Sequence, residues 1–314
     1  PRSRSARIAR SSPSPSFSPE TRLHEEPVLE QILINGLYSG AQYALIALGL
    51  TLIFALMNVL NFAHGQMYVL GGFVTYFVYG VLGLPFVVAL LATVATLGLV
   101  GAAFERFLFR PVRERSQREE SSMLLAAGTA LFLESLILIF FGEKHRGVPA
   151  LANGVVQVGD AYLPYGRLLV MAIAAGLIVA FLLFMQYTRP GRAMRALAQD
   201  RIAAQLMGVD VRVYSVIGFA MGAVLAGLAG SLLVTISGVN AGLGTWISIK
   251  AFIMVMIGGA GVVMGAIAGG FILGMLESIG YAVLPGGETY LIIFIALTIF
   301  LALRPQGLMG RPWG

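Results

Sequence analysis

From position 28 onward the sequence alternates long apolar runs with short polar joints. A helix needs roughly 20 predominantly apolar residues to cross the hydrocarbon core of a bilayer. The apolar runs cover 28–57, 66–83, 86–109, 123–141, 167–187, 211–237, 248–263, 265–284 and 290–303. Several are short or interrupted by glycine, so the pattern predicts an all-α, polytopic transmembrane helical bundle of about eight to ten spans. The stretch 58–65 reads as a bend, a loop or part of a broken helix. Positions 1–27 differ in kind: Ser, Pro and Arg dominate and apolar residues are isolated. Such a stretch buries too little surface to offset its ordering entropy, and it lacks the continuous apolar core of a signal peptide. A disordered basic tail over 1–27 and a transmembrane domain over 28–314 are therefore expected.

Composition sharpens this picture. The 314 residues are 58% hydrophobic and 11% charged, with mean hydropathy +0.85. Soluble domains carry about 25% charged residues, so most of this surface faces lipid rather than water. Cysteine is absent, which excludes disulfides and thiolate metal sites. The net charge of +6 does not point to nucleic acid, because the arginines sit in short joints without the interleaved aromatics of a base-stacking surface.

The arginines instead orient the bundle. The joints Arg110-Pro111-Val112-Arg113-Glu114-Arg115-Ser116-Gln117-Arg118 and Arg189-Pro190-Gly191-Arg192-Ala193-Met194-Arg195 are both basic and belong inside by the positive-inside rule. The runs 123–141 and 167–187 lie between them, which agrees. The C-terminus, with Arg304 and Arg311, then also lies inside. Three crossings before Arg110 place the basic tail outside, against the rule. An additional crossing or re-entrant segment near Asn61 restores agreement, and the charge pattern therefore favours an inside N-terminus. The joint 143–166 is external. Its turn residues around Val155-Val156-Gln157-Val158 read as a short hairpin or surface loop, either a connector or a contact for an external binding protein.

The segment 188–210 is the longest internal joint. A short helix can start near Arg192, Asp200 stands where an N-cap belongs, and Gly208 where a helix ends. Ala203 and Ala204 let another surface approach, while Ile202, Leu206 and Met207 offer an apolar knob. Two readings stand: a docking element for another subunit, or a surface loop capped for its own stability.

Here the residues resemble a known family. Ala203-Ala204-x-x-x-Gly208 is similar to the Glu-Ala-Ala-x-x-x-Gly coupling motif of bacterial ABC-importer permeases, with Ile202 in place of the glutamate. Residues 191–196 and 203–209 together resemble the cytoplasmic loop of the branched-chain amino-acid (Liv-type) permeases. Asn35-Gly36-Leu37, Tyr43–Leu50, Asn61-Phe62-Ala63-His64-Gly65, Glu105-Arg106, Lys250-Ala251-Phe252, Gly258-Gly259-Ala260-Gly261 and Arg304-Pro305-Gln306-Gly307-Leu308-Met309-Gly310 resemble other blocks of that family in the same order. The NFAHG block leans to its LivH-like branch. The resemblance implies a fold of the Liv/ribose-permease type in a bacterial inner membrane. It also implies a second homologous permease subunit, two cytoplasmic ATP-binding subunits and an external substrate-binding protein. The coupling residues are then Arg192, Arg195, Asp200, Ala203, Ala204 and Gly208, and the cargo a branched-chain amino acid, with urea or a short amide as the alternative.

Three further features carry expectations. Gly261, Gly265 and Gly269 recur at spacing four, as do Gly270 and Gly274, which suits close helix packing in lipid or a break lining a cavity. Asn61, His64 and Gln66 form a polar island that either supports a bend or lines the substrate pathway. Glu134 and Glu277 sit inside apolar helices without a mate that spacing identifies. A stand-alone secondary transporter or channel would need such acids as ion ligands, and no inverted repeat is evident in the sequence. His64 has no partner at ligand spacing, so no metal site is expected, and no cofactor. Walker-type phosphate loops, His-Glu-x-x-His and Gly-x-Ser-x-Gly are all absent, which removes the enzyme classes they mark.

Overall fold

A computed structural model describes residues 29–116 and 119–310. The tail expected over 1–27 lies outside the described residues. Helix α1 covers Leu29–Met57 and α2 covers His64–Thr75, continued by a π-helical turn, Tyr76–Val81. Then follow α3 (Phe86–Phe104), a π-helical Glu105–Phe109, α4 (Arg110–Arg115) and α5 (Glu119–Phe141). Strands β1 (Val155–Val158) and β2 (Ala161–Pro164) pair antiparallel, Val155 opposite Pro164. The remainder is α6 (Tyr165–Tyr187), α7 (Arg189–Gln199), α8 (Arg201–Leu206), α9 (Val211–Val234), α10 (Leu243–Gly258), α11 (Val263–Val283) and α12 (Gly286–Leu303).

Seven helical stretches among the described residues are long and apolar enough to cross a membrane: Leu29–Met57, Phe86–Arg115, Glu120–Phe141, Tyr165–Tyr187, Val211–Val234, Val263–Val283 and Gly286–Leu303. The other two apolar runs, 66–83 and 248–263, do not form complete helical spans. Each is preceded by non-helical chain, 58–63 before α2 and 235–242 before α10, that enters the bundle ahead of its helix. After α1 the chain turns at Asn58, which has a φ of 53°, and runs back into the bundle before α2 begins. His64 Nε2 meets the carbonyl of Ile46 at 3.0 Å, about 16 Å back from Met57 along α1. After α9 the segment 235–242 re-enters from the opposite side, and α10 starts at the same depth. The amide of Gly65 donates to Ser248 Oγ at 3.0 Å. The two interrupted paths therefore run in opposite senses and meet at the starts of their half-helices. An inverted arrangement is present in space although no sequence repeat announces it.

Backbone outside a helix at this depth is tolerated only when protein satisfies its polar groups. Here Asn61 Oδ1 accepts from the Ala63 amide at 3.1 Å, and Ser248 Oγ donates to the Phe62 carbonyl at 2.8 Å.

The sides of the bundle follow from its ends. The amide of Asp160 donates to Glu30 Oε2 at 2.9 Å and that of Tyr162 to Gln31 Oε1 at 3.0 Å. Helix α1 therefore begins on the face of the β1–β2 hairpin, opposite the Arg110 and Arg189 joints. This corrects the inside N-terminus expected from charge. The re-entrant chain near Asn61 exists, but it is the first half of the second crossing and adds none.

Helix α1 is the central element, with 83% of its apolar window buried, whereas only 11% of that of α12 is covered. Exposed apolar surface costs about 25 cal/mol per Å² in water, and none of that penalty applies against lipid or another apolar subunit. Glycines allow the centre to close. A β-carbon at Gly265 would meet the backbone of Gly258, at Gly269 that of Met254, at Gly270 that of Ala44, and at Gly274 that of Gly40. Gly261 leaves the packing stripe and fits the other reading, a break in the helix beside a cavity. It lies in the turn between α10 and α11 with a φ of 80°, where its role is conformational and not helix packing.

Candidate functional site

On the face of the arginine joints, three short capped helix starts build a surface platform. Thr188 Oγ1 accepts from the Gly191 amide at 3.1 Å, starting α7. Asp200 Oδ1 accepts from the amides of Ile202 and Ala203 at 2.8 and 2.9 Å, starting α8. Asp210 Oδ1 accepts from the Arg212 amide at 2.8 Å, starting α9. These bonds satisfy amides that have no intrahelical partner. Gly208 closes α8 with a φ of 86°, and the Val209 amide donates to the Ala204 carbonyl at 3.0 Å.

The platform is held from one side and bare on the other. Met194 and Leu197 of α7 are buried against the bundle, and Gly191 sits so close to Phe184 and Met185 that a side chain there would strike their backbone. Outward, Ile202, Leu206 and Met207 are 72%, 84% and 84% exposed. Ala203 shares that open surface, but Ala204 is buried. Of the two alanines, only Ala203 is therefore open to another surface; Ala204 is covered by its own bundle. Arg192 and Arg195 are exposed but already bonded to the end of α6, through the carbonyls of Tyr187 at 3.5 Å and Gln186 at 3.1 Å. Cations suit that position because helix C-termini carry partial negative charge. Beside α7 a cavity of about 570 Å³ opens between Asn58, Gln199, the Gly261 turn and Gln306.

The second feature is the junction of the half-helices. Asn61, His64 and Gln66 are 0%, 0% and 1% exposed. Of the two readings, Asn61 and His64 fit the support of a bend: both lie wholly inside this subunit and bond its backbone. Gln66 is buried as well but donates through Nε2 to Oε2 of the half-buried Glu134 at 3.1 Å. Thr245 Oγ1 donates to the same oxygen at 2.9 Å. Glu277 finds its mate in Lys250, Nζ to Oε1 at 3.0 Å, and Tyr43 Oη donates to its Oε2 at 2.6 Å. Neither link was readable from spacing, because each joins helices that are distant in sequence. The one available signal was Lys250 itself, a lone cation inside an apolar run. Among the described residues no group of three or more His, Cys, Asp or Glu is placed to hold a metal ion.

Interrupted crossings around a polar junction, wrapped by lipid-length helices, mark a multi-pass membrane protein. The chain belongs to the branched-chain amino acid transport system / permease component family, whose model matches residues 32–302. It is 31% identical over 296 residues to the high-affinity branched-chain amino acid transport system permease protein BraD of Pseudomonas aeruginosa, covering 90% of this chain and 96% of that protein. To the corresponding LivH of Escherichia coli K12 it is 32% identical over 297 residues, with the same coverage of 90% and 96%. A probable branched-chain amino acid transport permease protein LivH of Methanocaldococcus jannaschii is 26% identical over 305 residues, 93% of this chain and 94% of that one.

Proposed function

We propose that this chain is the membrane-spanning permease subunit of an inner-membrane ABC importer for branched-chain amino acids. It pairs with a second homologous permease, two cytoplasmic ATP-binding subunits power it, and an external binding protein delivers the cargo. The observation that supports this most directly is the α7–α8 platform. An exposed apolar knob on a short, individually capped helix, outside the lipid-facing belt, is surface that another protein covers. Closure of the ATP-binding subunits against α8 would pass through α7 to its contacts with α1 and α6, and rock the bundle between two openings. The names of the relatives supply the cargo class.

The test is uptake by cells lacking the gene. They are expected to lose high-affinity import of leucine, isoleucine and valine and to regain it from a plasmid copy. Normal uptake of all three with loss of urea or short-amide import moves the assignment to that cargo.

A further inference from the structure

Glu134 lies on α5 about 10 Å from its outer end at Phe141, within a span of high hydropathy. A carboxylate at that depth faces protein or water, because facing lipid is costly. Its environment is unusual in what it lacks. Both neutral donors, Gln66 Nε2 at 3.1 Å and Thr245 Oγ1 at 2.9 Å, bond the same oxygen, Oε2. Oε1 has no hydrogen-bond partner and the carboxylate has no ion pair among the described residues. The buried acids Glu277 and Glu105 are by contrast matched by Lys250 and Arg113.

The carboxylate is half-buried, and Thr245 beside it is exposed. Apolar side chains flank the pair on the same open surface. Leu131 lies one turn before Glu134 and Ile249 one turn after Thr245, and both are exposed; the ring of Trp246 lies beside Tyr290 of α12 instead. The surface thus joins a carboxylate without a cation, held by two neutral donors, to an aliphatic border. An α-amino acid with a branched side chain presents the complement: an ammonium group beside an apolar body.

We infer that Glu134, held by Gln66 and Thr245, is the group of this subunit that meets the ammonium of the amino acid in transit, with Leu131 and Ile249 against its side chain. The inference rests on the proposed cargo class and adds a residue to it. An anion that binds through charge must stay ionised, whereas one that merely ties α5 to α2 and α10 needs only an acceptor oxygen. The amide of glutamine keeps that oxygen at the same reach; aspartate keeps the charge at shorter reach.

The experiment reconstitutes the assembled importer in proteoliposomes with its binding protein and ATP, and compares Glu134→Gln and Glu134→Asp with wild type. The readouts are leucine uptake, recovery of the second permease and the ATP-binding subunits, and melting temperature. A hydrogen bond to a charged group is stronger than a neutral one, so Glu134→Gln is expected to lose about tenfold or more in uptake. Glu134→Asp should retain more than Glu134→Gln, with assembly and melting temperature of both near wild type. Uptake in Glu134→Gln equal to or above that of Glu134→Asp overturns the inference and leaves a purely structural acceptor. Loss of the second permease from Glu134→Gln also overturns it, because the charge then serves the subunit interface. Wild type that imports none of the branched-chain amino acids removes the cargo reading itself, and the inference with it.

Discussion

Lys250 on α10 and Glu277 on α11 form an ion pair inside the bundle, with Nζ 3.0 Å from Oε1 and 3.3 Å from Oε2. The aromatic rings of Tyr43 and Tyr290 lie 5.0 and 5.1 Å from the same ammonium, within the range of cation–π attraction. Breaking a buried pair by removing one member costs about 3–5 kcal/mol, whereas replacing both by apolar groups is often nearly neutral. Lys250→Met is therefore expected to lower the melting temperature of the detergent-purified protein. The double variant Lys250→Met/Glu277→Leu should recover most of the loss. With Glu277→Leu alone measured as well, a double variant destabilised by the sum of the two single changes would show that the pair is not coupled.

A second expectation concerns the meeting of the half-helices. A β-carbon at Gly65 would collide with the carbonyl of Gly244 and with Ser248, the residue that bonds both Gly65 and Phe62. Overpacking of this kind costs about 1–3 kcal/mol, and here it also pulls apart the bonds that satisfy non-helical backbone. Gly65→Ala should reduce the amount of folded protein in the membrane. Gly128→Ala on α5, where a β-carbon meets nothing within 4 Å, should be neutral or slightly stabilising. Fluorescence-detected gel filtration of the two variants separates them; matching profiles would contradict the close approach.

Much of this architecture was legible in the sequence, and what was not has a physical origin. The apolar runs marked the helices because lipid imposes one composition on every span. Asp200 and Gly208 marked the ends of α8 because caps are local chemistry. The broken crossings were only half visible. The run 248–263 was placed five residues late against α10, which begins at Leu243, because Thr245 and Trp246 read as joint and not as helix. Ala204 was misread as open surface because nothing in a six-residue helix shows which alanine its own bundle covers. Charge misplaced the start of α1, whose position is set by Glu30 and Gln31 on the hairpin backbone. The partners of Glu134 and Glu277 come from helices separated by at least 27 positions, where periodicity carries no information.

Sidedness can be tested cleanly because the chain contains no cysteine. Single replacements Glu30→Cys, Asn153→Cys and Gln205→Cys place one thiol each on the start of α1, the hairpin joint and α8. A membrane-impermeant maleimide added to intact spheroplasts should label the first two and reach Gln205→Cys only after lysis. Labelling of Asn153→Cys with protection of Glu30→Cys would overturn the side assigned here to the start of α1.

The docking role of α8 makes the sharpest separable prediction. Leu206 is 84% exposed, and Ala203 stands on the same open surface, so neither side chain contributes to the packing of the bundle. Substitutions at such positions usually change stability by no more than about 0.5 kcal/mol. Leu206→Glu and Ala203→Glu should therefore leave the membrane level of the permease near wild type. Each places a desolvated, unpaired charge in a surface that must be covered, a cost of the kind that abolishes close contact between subunits. Gly208→Val acts by a different route. Its β-carbon has open space around it, so the change disturbs only a left-handed backbone conformation that branched side chains resist. All three variants are expected to lose co-purifying ATP-binding subunits and amino-acid uptake together. A loop capped only for its own stability predicts otherwise: the two glutamate variants would keep both partners and transport, and Gly208→Val would fail only through lower abundance. Measuring membrane level, recovered ATP-binding subunit and uptake in the same strains decides between them. Wild-type uptake in Leu206→Glu and Ala203→Glu would remove α8 from the path by which ATP drives the bundle.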